Sequence, residues 1–448
     1  DCVTFMVHKE VKKHLEEGKR LFDLGDTGSA LEHYKSALAI DPQCALVHFN
    51  LGFAFYEKQD RDSARRCYQR AIELEPNCSL FLEHLAKLHF ETEEYSDAIS
   101  LFQRAHGVGR IQPVSYGLWG RAAYEIQDYA QAIEQLEKML SHELSPTLAA
   151  YARYYLVLSC LGAGNLFRVR SVVQEMLETE PADSELLADL GEQLLEARCI
   201  SLAKQCLEIF LDRQEDLSVQ KSYQEIVEIE QRVDHILPRL FSGDEERILQ
   251  NIHLLFQFGS EKVARALASI QDAGSPLIRE SVLEYHRRYG IAFNGDLERV
   301  FDDPVDFVRE KAAQYLSCWR SVKHLDLVHR LLDDSSRKVR RCGVQYLKEV
   351  GSMDYLPHLT RLLALEEDAD FQRQIRMALS SIKIRCQCQE QQIMGSSLPE
   401  SDLMNSSPTP VHRSVIGNHT MQVFWWMALI SACMVLLLDL VRILAKSP

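Results

Sequence analysis

From Val11 onward the chain repeats itself every 34 residues. Gly18 and Gly52 stand 34 apart, as do Ala30 and Ala64, Tyr34 and Tyr68, Ala37 and Ala71, and Pro42 and Pro76. The period runs on through Ala98, Phe102 and Ala105, then Gly120 and Ala132. After a slip of three residues it returns at Leu156 and Pro181, and resumes at Leu190, Gly191, Ala203 and Leu207. A period of this length is a unit of two antiparallel helices. Small residues let the helices approach, large apolar residues fill the seam, and proline opens the next helix. Such a unit cannot bury its apolar face alone, so neighbours must stack.

At these residues the chain resembles the tetratricopeptide repeat family, with about six repeats over Val11–Asp216 behind a short cap at residues 1–10. The second repeat, ALVHFNLGFAFYEKQDRDSARRCYQRAIELEPNC, matches nearly every signature position. The fifth departs from it, with Val157 and Val169 where small residues are usual. The resemblance implies an array of helical hairpins and a protein partner.

A helical connector is expected over Leu217–Ile236, and a second period follows it. An acidic turn precedes a helix that opens with arginine: Arg247, Arg279, Arg309 and Arg340 are spaced by 32, 30 and 31, and Arg373 comes 33 later. With its D-x-x-V-R-x-x-A-x-x-x-L character, the region 237–385 looks like short HEAT-like repeats. The arginines are expected to be structural, each bonding to an aspartate or carbonyl of the adjacent repeat. The formal net charge of -15 argues against sequence-independent nucleic-acid binding, which needs a basic surface. The 12 cysteines are scattered, and the C-x-C of Cys386 and Cys388 lacks a second half for zinc.

Composition changes again near Gln387. Residues 386–420 are polar and rich in serine and proline, and are expected to form a flexible tether. Val423–Leu438 then carries no charge, and the stretch 421–445 is long enough to cross a bilayer if Asp439 and Arg442 lie near an interface. Trp425 and Trp426 stand at the other end, as interfacial aromatics do. A single span there implies a tail-anchored protein with a cytoplasmic repeat body. The opening stretch DCVTFMVHKEV is too short and too soon charged for a signal-peptide core. The expected fold is therefore all-α: two stacked helical-hairpin solenoids, tetratricopeptide then HEAT-like, a disordered tether and one C-terminal transmembrane helix.

No phosphate-binding, dinucleotide, zinc-protease or nucleophile-elbow motif occurs. The expectation is a non-enzymatic protein without cofactor or metal. The first helix of each tetratricopeptide unit is more informative. One column reads Phe22, Tyr56, Phe90 and Tyr124; another, three residues earlier, reads Lys19, Phe53, Lys87 and Arg121. An aromatic stripe flanked by cations suits a peptide with apolar and acidic side chains, with Phe49, Asn50, Phe53 and Tyr56 at its centre. The family's two-carboxylate clamp for chaperone tails is not reproduced. Only Asn50 fits it, the other positions holding Leu15, Lys19, Leu80 and His84. The function expected is a membrane-anchored scaffold that assembles a protein complex, its repeat surfaces holding partners or a second copy of the chain. A client-targeting factor for membrane biogenesis and a regulatory subunit of an enzyme are the alternatives.

Overall fold

The structure is a computed structural model that describes residues 9–178, 184–241, 243–271, 274–293, 297–318, 325 and 327–396. Among the described residues every regular element is helical. The chain divides into two compact units, Asp1–Lys383 and Ile384–Pro448.

In the first unit, α1 (Lys9–Asp23) pairs with α2 (Thr27–Ile40), α3 (Ala45–Glu57) with α4 (Arg61–Leu74), and α5 (Ser79–Glu91) with α6 (Tyr95–Val108). The series continues with α7 (Pro113–Glu125) and α8 (Tyr129–Leu140), α9 (Pro146–Gly162) and α10 (Leu166–Glu178), and α11 (Ser184–Glu196) and α12 (Ile200–Leu211). The long α13 (Leu217–Ile236) packs on both α11 and α12.

Two local devices set each hairpin. Gly25, Gln59, Glu93 and Gln127, spaced by the repeat, turn the chain with φ of 84°, 63°, 61° and 64°. The next residue caps the second helix where it is aspartate: Asp26, Asp60 and Asp128 accept from the backbone N–H of Ser29, Ser63 and Gln131 at 3.0–3.1 Å. Each such cap stabilises its helix by about 1 kcal/mol. Close approach within the hairpin then rests on the small-residue column. A Cβ on Gly52 would stand 2.9 Å from the ring of Tyr68, which is only 1% exposed.

A second set of helices follows the 3-10 turn Leu237–Phe241: α14 (Glu245–Leu255), α15 (Glu261–Ile270), α16 (Pro276–Tyr289), α17 (Leu297–Phe301) and α18 (Asp306–Cys318). Beyond them lie α19 (Val328–Leu332), α20 (Arg337–Val350), α21 (Leu356–Leu365) and α22 (Ala369–Ser396). The last helix runs to Ser396, past residue 386 where the tether was expected to begin. Among the described residues no helix is long and apolar enough to cross a membrane. The expected span at 421–445, and the tether from 397 on, lie outside the described residues.

The recurring arginines form a ladder. Arg279 grips the Asp303 carboxylate at 2.7 and 3.1 Å and donates to the Gly274 carbonyl in its own turn. Arg309 donates to the Asp303 carbonyl and grips Asp334, whose carbonyl receives Arg340. Arg340 reaches on to Glu366 at 3.2 Å. The turns at Asp303 and Asp334 thus each serve one arginine through a carboxylate and the next through a backbone carbonyl; the bond to an aspartate of the adjacent repeat was expected, the sharing of one turn by two arginines was not. Arg247 and Arg373, at the two ends of the series, are exposed.

The second set of helices packs against the second helices of the fifth and sixth hairpins. The backbones of Arg198 and Gly259 meet in a 2.7 Å hydrogen bond, and Ser201 N–H donates back to the Gly259 carbonyl. Arg170 on α10 reaches Glu261 on α15 at 2.7 Å. Gly290, at φ 59°, comes so close that a Cβ would lie 2.6 Å from the backbone of Leu166 and Phe167.

Candidate functional site

The first helices of neighbouring hairpins touch one another: α1 meets α3, α5 meets α7, α7 meets α9, α9 meets α11, and α11 meets α13. They form one layer of the array, the layer that the resemblance to tetratricopeptide repeats implies lines the concave face. The candidate site is built from this layer.

At one end Phe22 and Phe53 lie ring to ring at 5.2 Å, both partly exposed, and Phe53 meets the edge of His84 at 5.6 Å. Asn50 is half-buried beside them and Lys19 is exposed. Burial among the Phe49, Phe53 and Tyr68 rings pushes the pKa of His84 down to about 3, with the charge of Lys87 adding to the effect. His84 is therefore a neutral aromatic surface. It was not among the residues expected to contact a partner, although its place one repeat after Asn50 was the available signal.

Further along, Tyr56 donates its hydroxyl to Glu91, and the Lys87 ammonium sits 5.0 Å above the Tyr56 ring and 4.0 Å from Glu91. Burial raises the pKa of Glu91, while the Tyr56 hydrogen bond and the charge of Lys87 pull it back. Arg121 repeats the arrangement. Its guanidinium lies 5.3 Å over Phe90 and 5.0 Å over Tyr155, donates to the Tyr151 hydroxyl at 3.2 Å, and stands 3.6 Å from Glu125. Tyr124 meets Tyr155 edge-on at 5.9 Å, and Tyr154 donates to Asp189 on α11.

Three expectations are corrected by this geometry. Phe49 is 7% exposed and stacks on Phe81 at 4.9 Å, so it supports the face from beneath. Phe90 is 5% exposed and covered by Arg121. Lys87 and Arg121 do not stand open for an acidic partner, because each is matched by the acid four residues on along its own helix. Aromatic columns at helical spacing look alike whether a ring faces inward or outward: residues four apart stand only about 40° from each other around the helix, so the neighbouring hairpin decides which ring is covered. The tyrosine cluster Tyr151, Tyr154 and Tyr155 was not anticipated. Its i, i+3, i+4 spacing was visible, but the slip of three residues hid its register with Tyr124.

His89, Glu94 and Asp97 bring ligand-type atoms within 4.8 Å of one another. The Glu94 carboxylate is already taken, by Arg65 at 2.9 Å and by the His89 ring. The arrangement is an ion-paired turn that stands where the first, second and fourth hairpins have an aspartate cap.

A scan against protein families matches a TPR repeat description over residues 18–59, a tetratricopeptide repeat over 45–78 and HEAT repeats over 296–380. No curated protein matches the chain. Among solved structures, a tetratricopeptide repeat protein from Parabacteroides merdae is 17% identical, with 62% of this chain and 99% of that one covered at a TM-score of 0.40. YrrB, described as a TPR protein with an unusual peptide-binding site, is 16% identical over 43% of this chain and 97% of its own, at 0.38. PilF of Pseudomonas aeruginosa is 18% identical over 48% and 96%, at 0.37. Overlaps of this quality say nothing about what the present chain binds. Residues 18–78 of this all-helical array carry tetratricopeptide repeats, and residues 296–380 carry HEAT repeats.

Proposed function

We propose that the protein is a scaffold that holds a partner peptide along the concave face of its first helices. The observation that carries this reading is the set of partly exposed rings on this face: Phe22 on the first hairpin, Phe53 and Tyr56 on the second, and Tyr124 and Tyr155 on the fourth and fifth. Rigid aromatic side chains give large contact area at small entropic cost, and flanking hydroxyls and carboxylates fix orientation. The HEAT half offers a second surface for another partner or a second copy of the chain. The uncharged stretch within 421–445 would hold the assembly to a membrane, with the repeat body on the cytoplasmic side.

Two experiments test the two parts. Phe22→Ala with Phe53→Ala should abolish co-purification of a stoichiometric partner from solubilised membranes while leaving the helical circular dichroism intact. Retention of the partner by the folded variant would end the groove reading. Removing residues 421–448 should release the protein from the membrane fraction, and continued sedimentation with membranes would end the anchor reading.

A further inference from the structure

The aromatic face has an acidic edge that the spacing of the repeats sets in line. Asp23, Glu57, Glu91 and Glu125 stand 34 residues apart, each directly after a member of the aromatic column. Asp23 and Glu57 are exposed, and Glu57 is near enough to add like-charge repulsion to Glu91. The cations of this face offset the edge only in part. Lys19 is exposed four residues before Asp23, Lys87 and Arg121 each lie within 4.0 Å of one acid and over the rings beneath them, and the matching position four residues before Glu57 holds Phe53.

The same sign continues toward the far end. Asp189 follows beyond Tyr154, and Glu192 lies one turn on, hydrogen-bonded by Ser222 of α13 at 3.1 Å. A small surface hollow there is lined by Glu192, Glu196 and Glu225 together with Leu195, Ser222 and Arg198. Burial raises the pKa of Glu192, and the nearby Asp189, Asp216 and Glu196 add to it. Carboxylates so crowded gain from a cation brought among them.

We propose that the concave face selects a peptide segment whose apolar side chains seat on the Phe22, Phe53 and Tyr56 rings and whose lysine or arginine side chains meet the acidic edge. This rests on the groove reading given above and reverses the partner charge expected from the sequence. Lysine and arginine suit the position doubly, since their stems lie along rings while their heads reach carboxylates. The net charge of -15 also steers a basic segment toward the protein at low salt.

The test uses the full chain in mild detergent and two fluorescein-labelled peptides with identical leucine and phenylalanine positions. The polar positions are all lysine in one and all glutamate in the other. Fluorescence anisotropy should show the lysine peptide binding at least about tenfold tighter, with the difference shrinking as salt is raised. Asp23→Lys with Glu57→Lys, both at exposed positions, should reduce or invert that preference. Phe53→Ala should weaken both peptides together. Equal binding, or a preference for the glutamate peptide, overturns the charge inference and leaves the groove reading standing. Binding of neither peptide, with or without Phe53, overturns both.

Discussion

Gln59 holds φ at 63°, a conformation that costs a side-chain-bearing residue about 1 kcal/mol and glycine nothing, and Gly25 occupies the matching place one repeat earlier. Gln59→Gly should therefore be neutral to stabilising by up to about 1 kcal/mol, an unusual outcome for glycine, measurable as a raised thermal midpoint. Gly52 answers oppositely. A methyl group there meets the buried Tyr68 ring, so Gly52→Ala should cost about 1–3 kcal/mol. Arg121 is the residue at which a binding role and a structural role separate most sharply. Its side chain is 18% exposed, lies over two rings and is bonded to Tyr151. Arg121→Glu would bury a carboxylate beside Glu125, and we expect a loss of about 3 kcal/mol in chemical denaturation rather than a clean loss of ligand. A variant of unchanged stability would show that the guanidinium is free for a partner after all.

At the scale of elements, the arginine ladder ties α16, α18 and α20 into a stack. Burial acts upward on the Asp334 and Glu366 carboxyls, but hydrogen bonds from Arg309 and Arg340 hold both below the usual carboxylate range. A depressed folded pKa means the stabilisation is full above the unfolded value of about 4 and fades as pH falls through the folded one. Denaturation midpoints should accordingly drop below about pH 4, and Asp334→Asn should flatten that slope while costing about 3 kcal/mol at neutral pH. The ladder was legible in the sequence because Arg279, Arg309 and Arg340 recur after acidic turns. The hairpins were legible for the same reason, small and large residues recurring at 34. Individual ring orientations were not. Phe49 and Phe53 share a helix and a residue type, yet one stacks on Phe81 and the other faces the groove. The acidic column Asp23, Glu57, Glu91 and Glu125 was present in the same register, but only the side-chain pairing shows which cations it already satisfies.

Over the whole of residues 1–383, the two kinds of repeat belong to one compact unit. No period announces this, because the junction is made by a few backbone contacts at Gly259 and Gly290 and by the pair of Arg170 with Glu261. Gly290→Ala strains both its φ and its approach to Leu166, so it should loosen α15 and α16 from α10 while leaving each hairpin intact. Thermal unfolding would then separate into two transitions, or hydrogen exchange would rise selectively over residues 259–293; a single unshifted transition would show that the junction adds little. Site-specific photo-crosslinking reads partner contact at the concave face most directly. With a photoreactive phenylalanine analogue at Phe53, and in a second protein at the exposed Arg70 of α4, the partner recovered from membranes should crosslink at Phe53 and not at Arg70. Crosslinking at Arg70 alone, or equally at both, would contradict the account.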